Sequence, residues 1–171
     1  MRAILYIFCG LPFSGKTTLA NEIIKRVELI FVSIDDIKFA HGFSWTENEN
    51  MTAEEWQRIF DESYQKTKDA LRAGKSVLYD SANQDRTSRD RLRKIAQEAG
   101  AEVKVIFMNV PEQTVRERWL RNVNSKKRFH LPERFFNAAF TNYEPPTQDE
   151  NVIEFHIGDE VTEWIKKVFE F

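Results

Sequence analysis

The chain has a single cysteine, Cys9, in 171 residues. A lone thiol makes no internal disulfide and has no companion thiols for a metal site, which excludes a disulfide scaffold and a cysteine zinc centre. Long apolar runs are also missing. The longest uninterrupted one, Ala3–Cys9, falls far short of the roughly 20 residues a membrane helix needs, and Met1-Arg2 leads into it without a signal-peptide pattern. The expectation is a soluble, cytoplasmic protein. Neither sign of charge dominates, with 25 Lys and Arg against 27 Asp and Glu. Coating nucleic acid or an anionic membrane through bulk charge is therefore excluded, and only a local basic patch is left open. His130 and His156 lack metal-ligand spacing and read as structural. No repeat, low-complexity tract or linker divides the chain, so residues 1–171 are expected to form one domain. Present in quantity are apolar residues, 42% of the chain, and a surplus of aromatics: 14 Phe, 4 Trp and 4 Tyr.

Short apolar runs alternate with helix-length segments. Ala3–Cys9 has the continuous pattern of a strand buried on both faces of a parallel sheet. Leu29–Ile34, Ser76–Tyr79, Val103–Met108 and Val152–Ile157 repeat it, which predicts an α/β fold with five strands. Between them, Thr17–Val27 carries Leu19, Ala20, Ile23, Ile24 and Val27 at helical spacing. Thr52-Ala-Glu-Glu55 is a capping-box pattern opening a helix through Trp56, Ile59, Phe60, Tyr64 and Leu71 to a stop at Gly74. Thr87 or Ser88 would cap the next helix, and Pro111 suits the first turn of one running to about Asn124. Ala40–Met51 is the least patterned stretch and reads as a surface loop.

Gly10-Leu-Pro-Phe-Ser-Gly15-Lys16-Thr17 matches G-x-x-x-x-G-K-[ST] between a strand and a helix, the context that phosphate binding requires. Gly10 and Gly15 permit a close backbone approach in which successive N–H groups point at phosphate oxygens. The following helix adds its positive end. Lys16 would reach the β- and γ-phosphates and the Thr17 hydroxyl would coordinate Mg²⁺. Gly10, Pro12, Ser14, Gly15, Lys16, Thr17 and Thr18 are thus the expected ATP-binding residues. Cys9 reads as a small buried filler.

Three further segments accompany this loop: Ser33-Ile-Asp35-Asp36-Ile-Lys38, then Val77-Leu-Tyr-Asp80-Ser-Ala-Asn83 with Arg89 behind it, and Tyr143-Glu-Pro-Pro-Thr near the end. Together they resemble the polynucleotide-kinase-type P-loop kinases over most of the chain. That resemblance implies a P-loop NTPase with a five-stranded parallel sheet of adenylate-kinase type, ordered 2-3-1-4-5. It also implies transfer of the ATP γ-phosphate to a hydroxyl, with a polynucleotide 5′-OH the favoured acceptor. By resemblance Asp35 is the general base, and Lys38 stands where the family has an arginine that contacts the acceptor phosphate. Lysine keeps that charge but lacks the planar fork. Asp80, Asn83 and Arg89 are expected beside the acceptor, with Asp80 also a candidate to hold a Mg²⁺-bound water. Capping roles for Asp35 and Asp80 stay open.

A helical lid is expected at about residues 116–132. Arg118 and Arg121, one helical turn apart, are its catalytic candidates, amid Arg116, Lys126, Lys127 and Arg128. Phe39, Phe43 and Trp45 fall on the acceptor side, where they would stack nucleobases, cover a small polyol or antibiotic, or simply pack. Two other functions stay open: a small-molecule kinase acting on a sugar, nucleoside or antibiotic, and a non-catalytic or toxin-like nucleotide-binding module. ATP and Mg²⁺ are the expected cofactors, a hydroxyl compound or nucleic-acid 5′ end the partner, and no membrane is involved.

Overall fold

The computed structural model describes residues 2–44, 50–125 and 131–170. Its strands are β1 (Ile4–Cys9), β2 (Ile30–Ser33), β3 (Val77–Asp80), β4 (Glu102–Asn109) and β5 (Val152–His156). Its helices are α1 (Lys16–Ile24), α2 (Ile34–Ala40), α3 (Ala53–Arg72), α4 (Arg86–Glu98), α5 (Glu112–Ser125), α6 (Glu133–Thr141) and α7 (Val161–Phe169). All strand pairings are parallel and the order is β2-β3-β1-β4-β5, as the resemblance implied. Among the described residues no helix is long and apolar enough to cross a membrane.

The apolar run of β1 has a direct physical cause. Successive strand side chains point to opposite faces, and here both faces are covered. Leu5, Ile7 and Cys9 join the core with Val32, Tyr79, Ile59 and Leu92. Tyr6 and Phe8 join the opposite one, with Leu19, Ile23, Leu78, Ile106 and Trp164. Trp56, Phe60 and Tyr64 follow one another along α3 with ring centroids 6.0 Å apart, and Tyr64 stacks on Tyr79. A third, smaller cluster of Leu11, Val115 and Phe136 ties α5 and α6 to the segment after β1.

Several boundaries differ from the sequence reading. Ser33, not a residue of the next helix, ends β2 and caps α2, its hydroxyl accepting from the Asp36 N–H at 3.2 Å. Asp85 caps α4 in place of Thr87 or Ser88; its carboxylate accepts from the Ser88 N–H and hydroxyl at 2.8 and 2.7 Å. An acid three residues before Ser88 satisfies the first turn better than the hydroxyls inside it. The Thr52–Glu55 capping box is present as expected. Helices α6 and α7 were not anticipated. Pro132 immediately precedes α6, and Glu160 caps α7 through the Glu163 N–H at 2.7 Å. The expected lid, residues 116–132, takes in α5 from Arg116 onward, residues 126–130, which lie outside the described residues, and Leu131 and Pro132 just before α6.

A buried ion pair joins α4 to the turn before β5. Arg89 of α4 is enclosed, with its side chain 1% exposed, and its Nε and Nη2 donate to the two carboxylate oxygens of Glu150 at 2.7 and 3.0 Å. Glu150 ends a 3₁₀ turn, Gln148–Glu150, just before β5. Removing one member of such a pair leaves an uncompensated charge in the interior. Glu150→Ala is expected to lower unfolding free energy by about 3–5 kcal/mol. Asp149→Ala, which breaks the exposed contact with Arg86, should cost far less. Urea midpoints of the two variants compare them directly, and equal losses would contradict the assignment.

Candidate active site

In a parallel sheet every strand delivers its following loop to the same edge, and open α/β folds bind ligands there. The edge brings together the loop after β1, Asp35 just beyond β2, and Asp80 at the end of β3. Ser33 pairs with Asp80 across β2 and β3, which sets the two acidic positions side by side.

The phosphate loop has the backbone its sequence predicts. Gly15 adopts a left-handed conformation, φ +106°, at the N-cap of α1, without a side chain capping the helix. A Cβ on Gly10 would lie 2.8 Å from Met108 Cβ and 3.0 Å from Ser14 Oγ, so the loop closes only with glycine there. Phe13 holds φ +64°, unusual for a bulky residue. Its ring sits edge-on to Phe136, which stacks on Trp119 at 4.6 Å. Ser14 Oγ is buried with no hydrogen-bond partner among the described residues. An orphaned buried hydroxyl in this loop fits a site built for an anion.

Lys16 bends back over this loop, its ammonium donating to the carbonyls of Gly10 and Leu11 at 2.6 and 2.9 Å. Burial pulls its pKa below the usual lysine range, while the charges of Asp80 and Asp35 oppose that shift. Burial likewise pushes the Asp80 carboxyl up to about 6, against the pull of Lys16, with Asp35 and Asp36 adding to the rise. Asp35 is also raised by desolvation, with Lys38 drawing it back. Thr17 and Thr18 stand exposed at the start of α1. Among the described residues no group of three or more carboxylate, histidine or cysteine side chains forms a metal site. Mg²⁺ takes one or two protein ligands and fills its shell with phosphate oxygens and water, and the hydroxyl of Thr17 and the carboxylate of Asp80 are the oxygen donors expected for it.

Because the folded state holds the Asp80 proton more tightly than the unfolded chain does, this carboxyl favours folding at acid pH. Its contribution is lost as pH rises through about 6. Asp80→Asn is therefore expected to gain on the order of 1–3 kcal/mol over the parent at pH 7.5, an advantage that disappears near pH 4. Thermal melts at both pH values read the difference; equal melting temperatures at pH 7.5 would contradict it.

A cavity of about 480 Å³ opens beside the loop, lined among others by Gly15, Thr18, Met108, Arg118, Arg121 and Phe155. Arg118 is not a detached lid cation: its Nη1 donates to the carbonyls of Phe13 and Ser14 at 3.2 and 3.1 Å. Arg121, exposed on the next turn of α5, faces the same cavity. Sequence reasoning missed Phe13, Met108 and Phe155, since nothing in their spacing separates a cavity wall from core. Residues Trp45, Lys126, Lys127, Arg128 and His130 lie outside the described residues.

Three expected acceptor residues stand elsewhere than at a surface. Lys38 is completely buried, 3.5 Å from Asp35. Asn83, at φ +43°, donates its amide to the Phe8 carbonyl at 2.8 Å and so pins the loop after β3 to β1. Arg89 is committed to Glu150, to the carbonyls of Asn83 and Glu144, and to Cys9. The expectation that Arg89 meets the acceptor is corrected: an enclosed guanidinium braces the loop and does not reach the cleft. Cys9, buried with its thiol pushed up to about 11 by burial, is the inert filler the sequence suggested.

Comparisons with known proteins bear on the fold. A search of curated proteins finds no match. Among solved structures, a putative kinase from Chloroflexus aurantiacus superposes with a TM-score of 0.78 at 17% identity, over 99% of this chain and 98% of that one. Kti12 from Chaetomium thermophilum, solved with ADP-AlF3, gives 0.74 at 18% identity, over 97% of each chain. The APS kinase CysC of Mycobacterium tuberculosis, solved with AMPPNP and APS, gives 0.68 at 15% identity, over 99% and 96%. At such identities the likeness establishes a P-loop kinase-like fold, and it does not single out the polynucleotide kinases. A family model described as an AAA domain, AAA_33, matches residues 5–146, most of the chain including the phosphate loop, Asp35, Asp80 and both candidate arginines. The chain belongs to this AAA domain family.

Proposed function

We propose that the protein is an ATP-dependent phosphotransferase that moves the γ-phosphoryl group onto a hydroxyl of a small, uncharged acceptor. The observation that carries this reading is the juxtaposition of Lys16 with two carboxylates of raised pKa, Asp35 and Asp80, at one sheet edge.

In this reading Lys16 leaves the Gly10 and Leu11 carbonyls for the phosphate oxygens, and Ser14 and the loop amides receive the rest of the anion. Asp35, with its side chain 47% exposed, orients the acceptor hydroxyl and takes its proton. The acceptor oxygen bonds to the γ-phosphorus as the bond to the ADP oxygen breaks, and ADP leaves. Arg118 steadies the loop from behind while Arg121 offers a charge to the phosphoryl oxygens. Mg²⁺, when bound, would neutralise charge on the β- and γ-phosphates.

A small neutral acceptor is favoured because Lys38, at the position expected to contact an acceptor phosphate, and Arg89, expected beside the acceptor, are both enclosed and paired with Asp35 and Glu150. A nucleic-acid 5′-hydroxyl is the second reading, favoured by Phe39, an aromatic residue 36% exposed on the acceptor side. Transfer of labelled γ-phosphate from ATP to a panel of sugars, polyols, nucleosides, antibiotics and 5′-OH oligonucleotides tests both. Label on small compounds alone supports the first reading and label on oligonucleotides alone the second. No labelled acceptor with ATP still bound would overturn the phosphotransferase.

A further inference from the structure

We infer that Lys38 is a positioning residue that acts on the acceptor hydroxyl through Asp35 and does not itself touch the acceptor. The inference rests on the phosphotransferase reading, with Asp35 as base, and deepens it.

The burial of the two partners is opposite. Lys38 has no exposed surface, whereas the Asp35 side chain, one turn earlier on α2, is 47% exposed, and the ammonium lies 3.5 Å from Asp35 Oδ1. An enclosed ammonium is costly unless compensated. Here the compensation comes from Asp35 and from two aromatic rings: the Lys38 nitrogen is 5.5 Å from the Phe39 centroid and 5.8 Å from that of Trp56 on α3. These rings fix the cation between α2 and α3, and the cation in turn fixes one oxygen of the carboxylate, leaving the exposed remainder of Asp35 for the acceptor. Asp35 is not occupied as a helix cap either, because Ser33 fills that role. The arrangement therefore has the form of a base held from beneath by a buried counter-ion.

A double-mutant cycle of Lys38→Met, Asp35→Asn and the pair tests this, using as acceptor the compound the panel phosphorylates fastest among ribose, a nucleoside and a 5′-OH oligonucleotide. Lys38→Met should lower kcat about 10–100-fold, a part of what a general base supplies, with KM for acceptor and ATP within about twofold of the parent. In the Asp35→Asn background the same change should alter kcat by less than about twofold, since the group it acts through is gone. Melting curves check folding. Should Lys38→Met not fold, Lys38→Gln, which keeps a donor to Asp35, takes its place in the cycle with the same KM and non-additivity criteria. A rise in acceptor KM at unchanged kcat, or equal fold losses in both backgrounds, would overturn the inference and put Lys38 on the acceptor. Parent-level turnover in Asp35→Asn alone is a separate result that removes the base assignment itself.

Discussion

Lys16→Ala is expected to reduce phosphoryl transfer by about 10²–10³-fold or more, the scale of losing a principal charge contact to the transferring group. The fold should survive, for two reasons. The side chain anchors no secondary structure, since its bonds run to two loop carbonyls that solvent can reach once it is gone. The ammonium is also held below its usual pKa by burial, so its removal relieves desolvation even as Asp80 loses a nearby positive charge. Melting temperature, ATP affinity and transfer rate, measured together, separate these effects. Lys16→Arg should not rescue, because a planar fork cannot occupy the place of a compact ammonium in a closed loop. Unchanged transfer by Lys16→Ala would mean that the loop does not hold the donor phosphates.

The second large effect falls on the acceptor side. Asp35→Asn should lower turnover by about 10²–10⁴-fold while ATP affinity stays near that of the parent. Asparagine preserves an oxygen facing Lys38, so the neighbouring helix keeps its shape; what disappears is the capacity to take a proton. In the parent, desolvation raises the Asp35 carboxyl, so turnover should fall as pH drops through a value above the ordinary aspartate range. The asparagine variant should lack that acid limb. Turnover within threefold of the parent would transfer the base role to Asp80, the other carboxylate that faces Lys16.

The reach of the sequence differed by element for physical reasons. Strand β1 announced itself because both its faces are buried, which leaves no polar residue in the run. The phosphate loop was equally plain, since its glycines answer to geometry that other residues cannot adopt. Lys38 and Arg89 were misleading. A cation near an expected anion site looks like a ligand in one dimension, and only the packing of α3 over Lys38, and of Glu150 against Arg89, shows them turned inward. The partner that turns Arg89 lies 61 positions away, beyond any local pattern. Arg118 was legible as a cation near the donor side, but its bonds to the loop were not, because its acceptors are main-chain carbonyls, and these carry no residue signature.

The Arg89–Glu150 pair also bears on what a fragment cut to the family match would lack. Family similarity ends at residue 146, four positions short of Glu150 and before β5 and α7. A fragment stopping there would hold the Arg89 guanidinium in its interior without Glu150, and β4 would be an open edge with unpaired amides. The loop pinned by Asn83 and Arg89, which follows Asp80, would lose part of its support. A fragment trimmed to the family boundary should behave as an aggregation-prone intermediate rather than as a minimal enzyme.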